Sequence, residues 1–311
     1  MNKHTIMNRH TTMDNHTIMN KHTIMNKIFS MQLTRMISLS FIIFHLSFSS
    51  AAAQKTLTIL HTNDTHSTVM PLNKNLADTL LADRGGFLRR MAMVEQERQK
   101  DPDLLLFDSG DFSQGSAYYS LFQGDVEIGL MNRMHYDAAT IGNHEFDFGL
   151  DNMVRIFRQA QFPIVCSNYD FADTELKDIV KPYIIIKRKG VKIGVFALCP
   201  KLDGLVFTKN YGPLTYLDPA EKAQEMVNTL KKKKCDYIIC ISHLGWKSND
   251  ESDDKVFAKT EGVDLVLGGH SHTYFQDLEY VTDKSGRAVP VDQNGKHGAF
   301  VGKLQLTFNK R

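Results

Sequence analysis

AATIGNHEFDFG, residues 138–149, decides how this chain is read. An apolar run, Ala138 to Ile141, passes through Gly142 straight into Asn143, His144, Glu145 and Asp147. An amide, an imidazole and two carboxylates thus follow a segment that reads as a buried strand. Taken alone, GNHE also fits a rigid strand-to-loop corner, so the decision rests on whether the pattern recurs.

It recurs. Strand-like apolar runs lie at 57–60 (LTIL), 104–107 (LLLF), 138–141 (AATI), 183–186 (YIII), 193–198 (IGVFAL), 237–241 (YIICI) and 263–268 (VDLVLG). Several are apolar throughout, as strands covered on both faces must be. Polar clusters follow them: LTILHTNDTH delivers Asp64 and His66, LLLFDSGD delivers Asp111, YIICISH delivers His243, and VDLVLGGHSH delivers His270 and His272. In open α/β sheets the carboxyl ends of strands converge on one crevice, so residues distant in sequence meet there. Gly110, Gly142, Gly268 and Gly269 permit sharp turns where the polar side chains emerge. Of the histidines after residue 53, His66, His144, His243, His270 and His272 lie in these blocks, whereas His61, His135 and His297 do not.

Helical spacing fills the intervals. Residues 86–100 place Leu88, Met91 and Val94 on one face, and residues 151–161 do the same with Met153, Val154, Ile156 and Phe157. DPAEKAQEMVNTLKKKK offers Asp218 as a cap, Pro219 in the first turn, and Ala223, Met226, Val227 and Leu230 as the buried stripe. YIIIKRKGVKIGVFAL reads as two antiparallel strands around a turn near Gly190. The fold class is α/β with a mixed sheet covered by helices.

The amino-terminal part has a different character. Residues 1–27 repeat a six-residue unit (MNKHTI, MNRHTT, MDNHTI), either a His-rich metal-binding tract or a leader outside the mature protein. Residues 28–53 carry an apolar run from Met36 to Phe48, with Lys27 and Arg35 ahead of it and Ala51 to Ala53 behind, which is the pattern of a signal peptide cleaved after Ala53. The run is shorter than the roughly 20 residues of a membrane span, so no stable span is expected after cleavage and the mature domain, 54–311, is placed in the periplasm or secreted. Without residues 1–53, Lys plus Arg falls from 37 to 32 and Asp plus Glu from 35 to 34, so the net charge moves from +2 to about −2. That balance calls for no nucleic-acid partner. Cys166, Cys199, Cys235 and Cys240 sit in or beside apolar runs, where either disulfides or buried thiols fit.

Carboxylate, imidazole and amide donors without a thiolate suit divalent Mn, Fe, Co or Zn. Asp64, His66, Asp111, Asn143, His243, His270 and His272 exceed the needs of one four-coordinate ion. They match two ions sharing a bridging carboxylate, a role open to Asp111. The residues alone do not distribute the histidines between the two.

The series DTH, GD, GNHE, SH and GHSH, in this order, resembles the calcineurin-like metallophosphoesterase superfamily. ILHTNDTHS, DRGGFLRR, GDFSQGS and GNHEFDFG further resemble its 5'-nucleotidase and UDP-sugar hydrolase family, over about Thr56 to Phe308. The resemblance implies a layered fold of mixed β-sheets flanked by helices. It places one metal on Asp64, His66 and His272 and a second on Asn143, His243 and His270, with Asp111 bridging. It makes His144 the residue acting on the reacting phosphate and Asp147 its orienting partner. Glu145 reads as a supporting hydrogen-bonder rather than a general base. The implied function is an exported phosphohydrolase releasing phosphate from nucleotides. Alternatives within the chemistry are a UDP-sugar hydrolase, a 2',3'-cyclic phosphodiesterase or a general phosphomonoesterase; outside it stands a metal-binding subunit active only with a partner. The family's usual carboxyl-terminal specificity domain does not follow LQLTFNKR, so a separate protein of that type is an expected partner.

Overall fold

The structure, a computed structural model, describes the backbone of Thr5–Asn8 and residues 55–308. The leader and signal-peptide readings of residues 1–27 and 28–53 otherwise lie outside the described residues. In chain order the strands are β1 (Thr5–Asn8), β2 (Lys55–Thr62), β3 (Leu105–Asp108), β4 (Ala138–Ala139), β5 (Tyr169–Asp170), β6 (Tyr183–Arg188), β7 (Val191–Leu198), β8 (Thr215–Tyr216), β9 (Tyr237–Ser242), β10 (Leu265–Leu267), β11 (Glu279–Thr282), β12 (Ala288–Asp292) and β13 (Gly302–Phe308). One sheet runs β1-β13-β2-β3-β4, a second β11-β12-β10-β9-β7-β6, and β5 pairs with β8. β2, β3 and β4 are mutually parallel, as are β7, β9, β10 and β12, while β13, β6 and β11 join antiparallel.

The apolar runs are continuous because successive side chains enter different layers. From the first sheet, Leu57, Ile59, Leu105 and Phe107 point into a central layer, where they meet Ile193, Val195, Tyr237, Ile239 and Ile241 of the second. The alternating residues Leu60, Leu104 and Leu106 face outward onto Phe87, Val94, Ile128, Met131 and Ile156 of the covering helices. Phe196, Leu198, Ile238 and Cys240 likewise face Ala223, Met226, Val227 and Leu230. Two sheets packed face to face and clad by helices on both outer faces give four layers, α/β/β/α. At about 1.5–3 kcal/mol for each large apolar side chain withdrawn from water, the central layer sets the relative position of the sheets.

The hairpin at Gly190 forms as expected: β6 and β7 pair from Tyr183↔Phe196 to Arg188↔Val191, and both turn residues, Lys189 and Gly190, have positive φ. Asp218 Oδ1 accepts the Glu221 amide at 2.8 Å, capping the helix Pro219–Lys232 above the expected buried stripe. In the helix Phe87–Lys100 Val94 is buried and Met91 packs against the core as expected, but Leu88 is 71% exposed, and Phe87, Arg90 and Glu97 join the inward face. Phe87, at the first helical position, is drawn inward because its amide bonds Val69 O at 2.9 Å, which rotates Leu88 outward. All four cysteines are free thiols, and Cys166, Cys199 and Cys240 are buried. Among the described residues no helix is long and apolar enough to cross a membrane.

Candidate metal centre

Both sheets direct carboxyl ends of parallel strands to the same place. After β2 the chain turns through Asp64 and His66, fastened to the loop after β3 by Asp64 N to Gly110 O (2.9 Å) and His66 N to Asp111 O (3.0 Å). That loop crosses to the second sheet: Ser109 Oγ donates to Leu267 O at 2.8 Å, and Ser109 O accepts from His243 Nδ1 at 2.6 Å. The β10 loop closes the circle, with His270 N donating to Asp64 Oδ2 at 2.9 Å.

The seven candidate ligands come together. Asp64 Oδ1 lies 3.4 Å from His272 Nε2 and 3.9 Å from both His66 Nε2 and His243 Nε2. His66 Nε2 and His272 Nε2 are 2.9 Å apart. Asp64, His66 and His272 form one group with ligand atoms mutually within 4.8 Å; Asp111, His243 and His270 form another; His66, Asp111 and His144 form a third. Asp111 therefore stands between the two flanking groups. Asn143 is buried beside them, and its Oδ1 has no partner.

Three observations test whether such a pocket fits cations. Asn143 Oδ1, His66 Nδ1 and His243 Nε2 are buried and unpartnered, each costing about 1–3 kcal/mol unless something outside the chain satisfies it. His243 Nε2 sits 3.1 Å from Asp111 Oδ2 yet out of line for a hydrogen bond, the arrangement of two ligands aimed at a third atom. Asp64, His66, Asp111, His270 and His272 all hold positive φ, a strain of about 1–3 kcal/mol each that persists where the surroundings impose it. The donor set fits divalent cations.

Electrostatics agree. Burial lowers the pKa of His243, but Asp111 and Asp64 outweigh it and lift it to about 10, so the carboxylates demand positive charge there. Burial and neighbouring His243 push His270 down to about 4, and burial lowers His66, leaving both imidazoles neutral with lone pairs to donate. The Ser109 carbonyl holds the His243 proton on Nδ1 and turns Nε2 toward the carboxylates.

The residues of GNHE divide. His144 is half-buried, with its amide on Asp111 Oδ1 at 2.9 Å and its Nδ1 3.0 Å from Asp147 Oδ2. Burial depresses its pKa, but the Asp147 hydrogen bond and Asp111 outweigh that and raise it. Glu145 is wholly buried and its carboxylate accepts the amides of Asp111 (3.0 Å), Gly142 (2.6 Å) and Ser113 (3.1 Å). It clamps the two loops together and faces no open space.

Sequence reasoning passed over several contributors. Asn63 Nδ2 donates to Asp64 Oδ2 at 2.6 Å and to Gly295 O at 2.8 Å. His61, set apart from the polar blocks, pairs with Asp292 at 3.0 Å, both fully buried. His297, likewise set apart, donates its amide to Asp64 O at 2.7 Å and brings its ring centroid to 5.8 Å from that of His66. Burial and His66 lower its pKa to about 4. It follows no predicted strand, so no signal flagged it.

The sequence model of the family described as Calcineurin-like phosphoesterase matches residues 57–274. The 5'-nucleotidase of Homo sapiens is 31% identical over 84% of this chain and 48% of its own length. Among solved structures, a 5'-nucleotidase precursor from Thermus thermophilus superposes with a TM-score of 0.73 at 31% identity, covering 81% of this chain and 51% of that one. The NAD nucleotidase of Haemophilus influenzae gives 0.72 at 27%, covering 82% and 48%. The chain spans about half the length of the curated relatives it matches.

Proposed function

Because the chain belongs to the calcineurin-like phosphoesterase family of metal-dependent phosphoric ester hydrolases, we propose that it is a 5'-nucleotidase-type phosphomonoesterase, exported by the segment 28–53, that releases phosphate from nucleoside 5'-monophosphates. The observation carrying this is the position of Asp111 between Asp64/His66/His272 on one side and His243/His270 on the other, with the unpartnered Asn143 oxygen beside them. In this reading Asp64, His66 and His272 hold one divalent ion, Asn143, His243 and His270 hold the second, and Asp111 bridges. Mn, Zn, Fe or Co all suit the donors. When bound, the ions supply Lewis acidity toward the phosphate oxygens and the attacking water.

The chain's own groups do the rest. Asp147 holds the proton of His144 on Nδ1 and orients the ring, leaving Nε2 for the departing oxygen. As the bond from water oxygen to phosphorus forms and the ester P–O bond breaks, Nε2–H donates to the alkoxide leaving group. Glu145 keeps the Asp111 and Gly142 backbones in register through that change.

A separate protein of the carboxyl-terminal 5'-nucleotidase type is the partner proposed to grip the nucleoside. The test is phosphate release from AMP, UDP-glucose and bis(p-nitrophenyl) phosphate by the metal-loaded chain, with and without such a protein. Preference for AMP is expected. Equal or greater turnover of the diester would overturn the assignment, and inactivity under every combination of metal and partner would assign a binding role. Asp111→Asn is expected to lower metal content by elemental analysis.

A further inference from the structure

The motif DRGGFLRR, residues 83–90, takes no part in the metal centre. It ends in the helix Phe87–Lys100, whose first turn has neither a side-chain cap nor an acidic residue. Phe87 N is taken by Val69 O, while among the described residues no backbone acceptor outside the helix reaches the amides of Leu88 or Arg89. A helix that begins in this way leaves donors and the positive end of its dipole unanswered.

Beside that end lies a cavity of about 450 Å³, lined by Arg84, Gly85, Arg89, Arg90 and Phe300, with Asp83 as its only acidic side chain. Asp83 is occupied with Arg89, at 3.2 Å through the side chain and again through its carbonyl. Arg84 lies over the Phe300 ring, 5.0 Å from its centroid, and has no ion-pair partner among the described residues. Arg90 is 3% exposed, and its Nε and Nη2 are buried without a partner. Its Nη1 donates to His297 O at 3.3 Å, and the guanidinium lies over the Phe87 ring, 4.3 Å from its centroid. Three guanidinium groups against one carboxylate, one of them carrying two orphaned donors, line one concavity along the flank of this helix.

We propose that this cavity is a second anion site, separate from the metal centre, which takes a tetrahedral oxoanion of the phosphate class. Guanidinium forks are the donors that recognise such a group. None of the proposed metal ligands lines the cavity. The wall between the two sites is one residue thick: His297 donates its amide to Asp64 and presents its carbonyl to Arg90. The oxoanion is either free phosphate or the phosphate of an organic ester. The inference does not depend on the metal centre accepting nucleotides.

The test uses crystals of the full metal-loaded chain soaked in sodium selenate, read by anomalous scattering. A selenium peak is expected between Arg84, Arg89 and Arg90, distinct from any peak at the metals. Arg84→Ala with Arg89→Ala, both at partly exposed positions, should abolish that peak while the melting temperature and the metal-centre signal persist. In calorimetric titration with inorganic phosphate, one binding event should weaken roughly tenfold or more in the double variant, the scale of a lost charge-assisted contact. Titration with phenylphosphonate separates the sources: tighter binding than phosphate assigns an organic ester, and weaker binding assigns the free ion. Absence of selenium from the wild-type cavity, or a double variant that keeps the peak, would overturn the proposal.

Discussion

Gly142→Ala isolates how finely the two halves of the centre are fitted. Gly142 does not hold positive φ, so its backbone accepts an L residue and the effect of a methyl group is purely steric. A Cβ there would stand 2.1 Å from Asp111 Oδ1 and 2.6 Å from Asp111 N, where real contacts stay beyond 3.0 Å. The carboxylate must retreat by about 0.9 Å, the difference between 3.0 and 2.1. It has little freedom to do so, because Glu145 Oε2 holds the amides of Asp111 and Gly142 simultaneously. Metal ligation tolerates about ±0.2 Å, and a displacement of about 1 Å near the reacting atoms costs on the order of 10²-fold in rate. The variant should therefore lose most of its bound metal by elemental analysis, turn over about 10²-fold more slowly, and melt earlier by the equivalent of about 1–3 kcal/mol of overpacking. Gly129→Ala is the control: exposed, helical and with nothing within 4 Å of the new Cβ, it should gain about 0.4–1 kcal/mol and leave metal and turnover unchanged. Wild-type metal content and turnover in Gly142→Ala would refute the steric reasoning and the position given to Asp111.

Three further outcomes follow from the same geometry. His144→Ala should retain its metal by elemental analysis yet lose about 10²–10⁴ in kcat, the range of an acid-base group; undiminished kcat with metal bound would remove His144 from the reaction. In Asp147→Asn the hydrogen bond that raises the His144 pKa is weakened. With the protonated ring as the proposed donor, kcat is expected to fall as pH rises through that pKa, and the fall should move to lower pH in a kcat–pH profile; an unmoved limb contradicts the pairing. Glu145→Gln replaces one of the two oxygens that accept three amides in a fully buried position, and should lower stability by about 1–3 kcal/mol in a urea titration, whereas an unchanged midpoint would show the clamp to be dispensable.

The sequence was most legible where one residue serves one layer. The continuous apolar runs announced strands covered on both sides, and the polar clusters after five of them announced the crevice, because strand direction alone carries Asp64, Asp111, Asn143, His243 and His270 to one end. Where two signals compete, reading was harder. Leu88 has the right spacing for the buried face of its helix, but the bond from Phe87 N to Val69 O sets the rotation instead. β11 and β12 were not anticipated: Pro290 in β12 and the exposed Glu279 and Tyr280 in β11 blur the alternation that marks a strand. His297 reaches the centre, and His61 its pairing with Asp292, through backbone register and long-range contacts, which no local window contains. Burial of Arg90 was equally hidden, since a lone Arg in a helix reads as surface.

The seam between the two sheets also divides the donors by chemical type. The first sheet brings every proposed oxygen ligand, Asp64, Asp111 and Asn143, with a single imidazole, His66; the second brings the proposed ligands His243, His270 and His272 and no carboxylate among them. Severed between Leu198 and Tyr237, the polypeptide would yield one fragment with excess negative charge and one with nitrogen bases alone. Neither fragment would carry the proposed coordination sphere alone, so the proposed chemistry requires both halves of the domain at once.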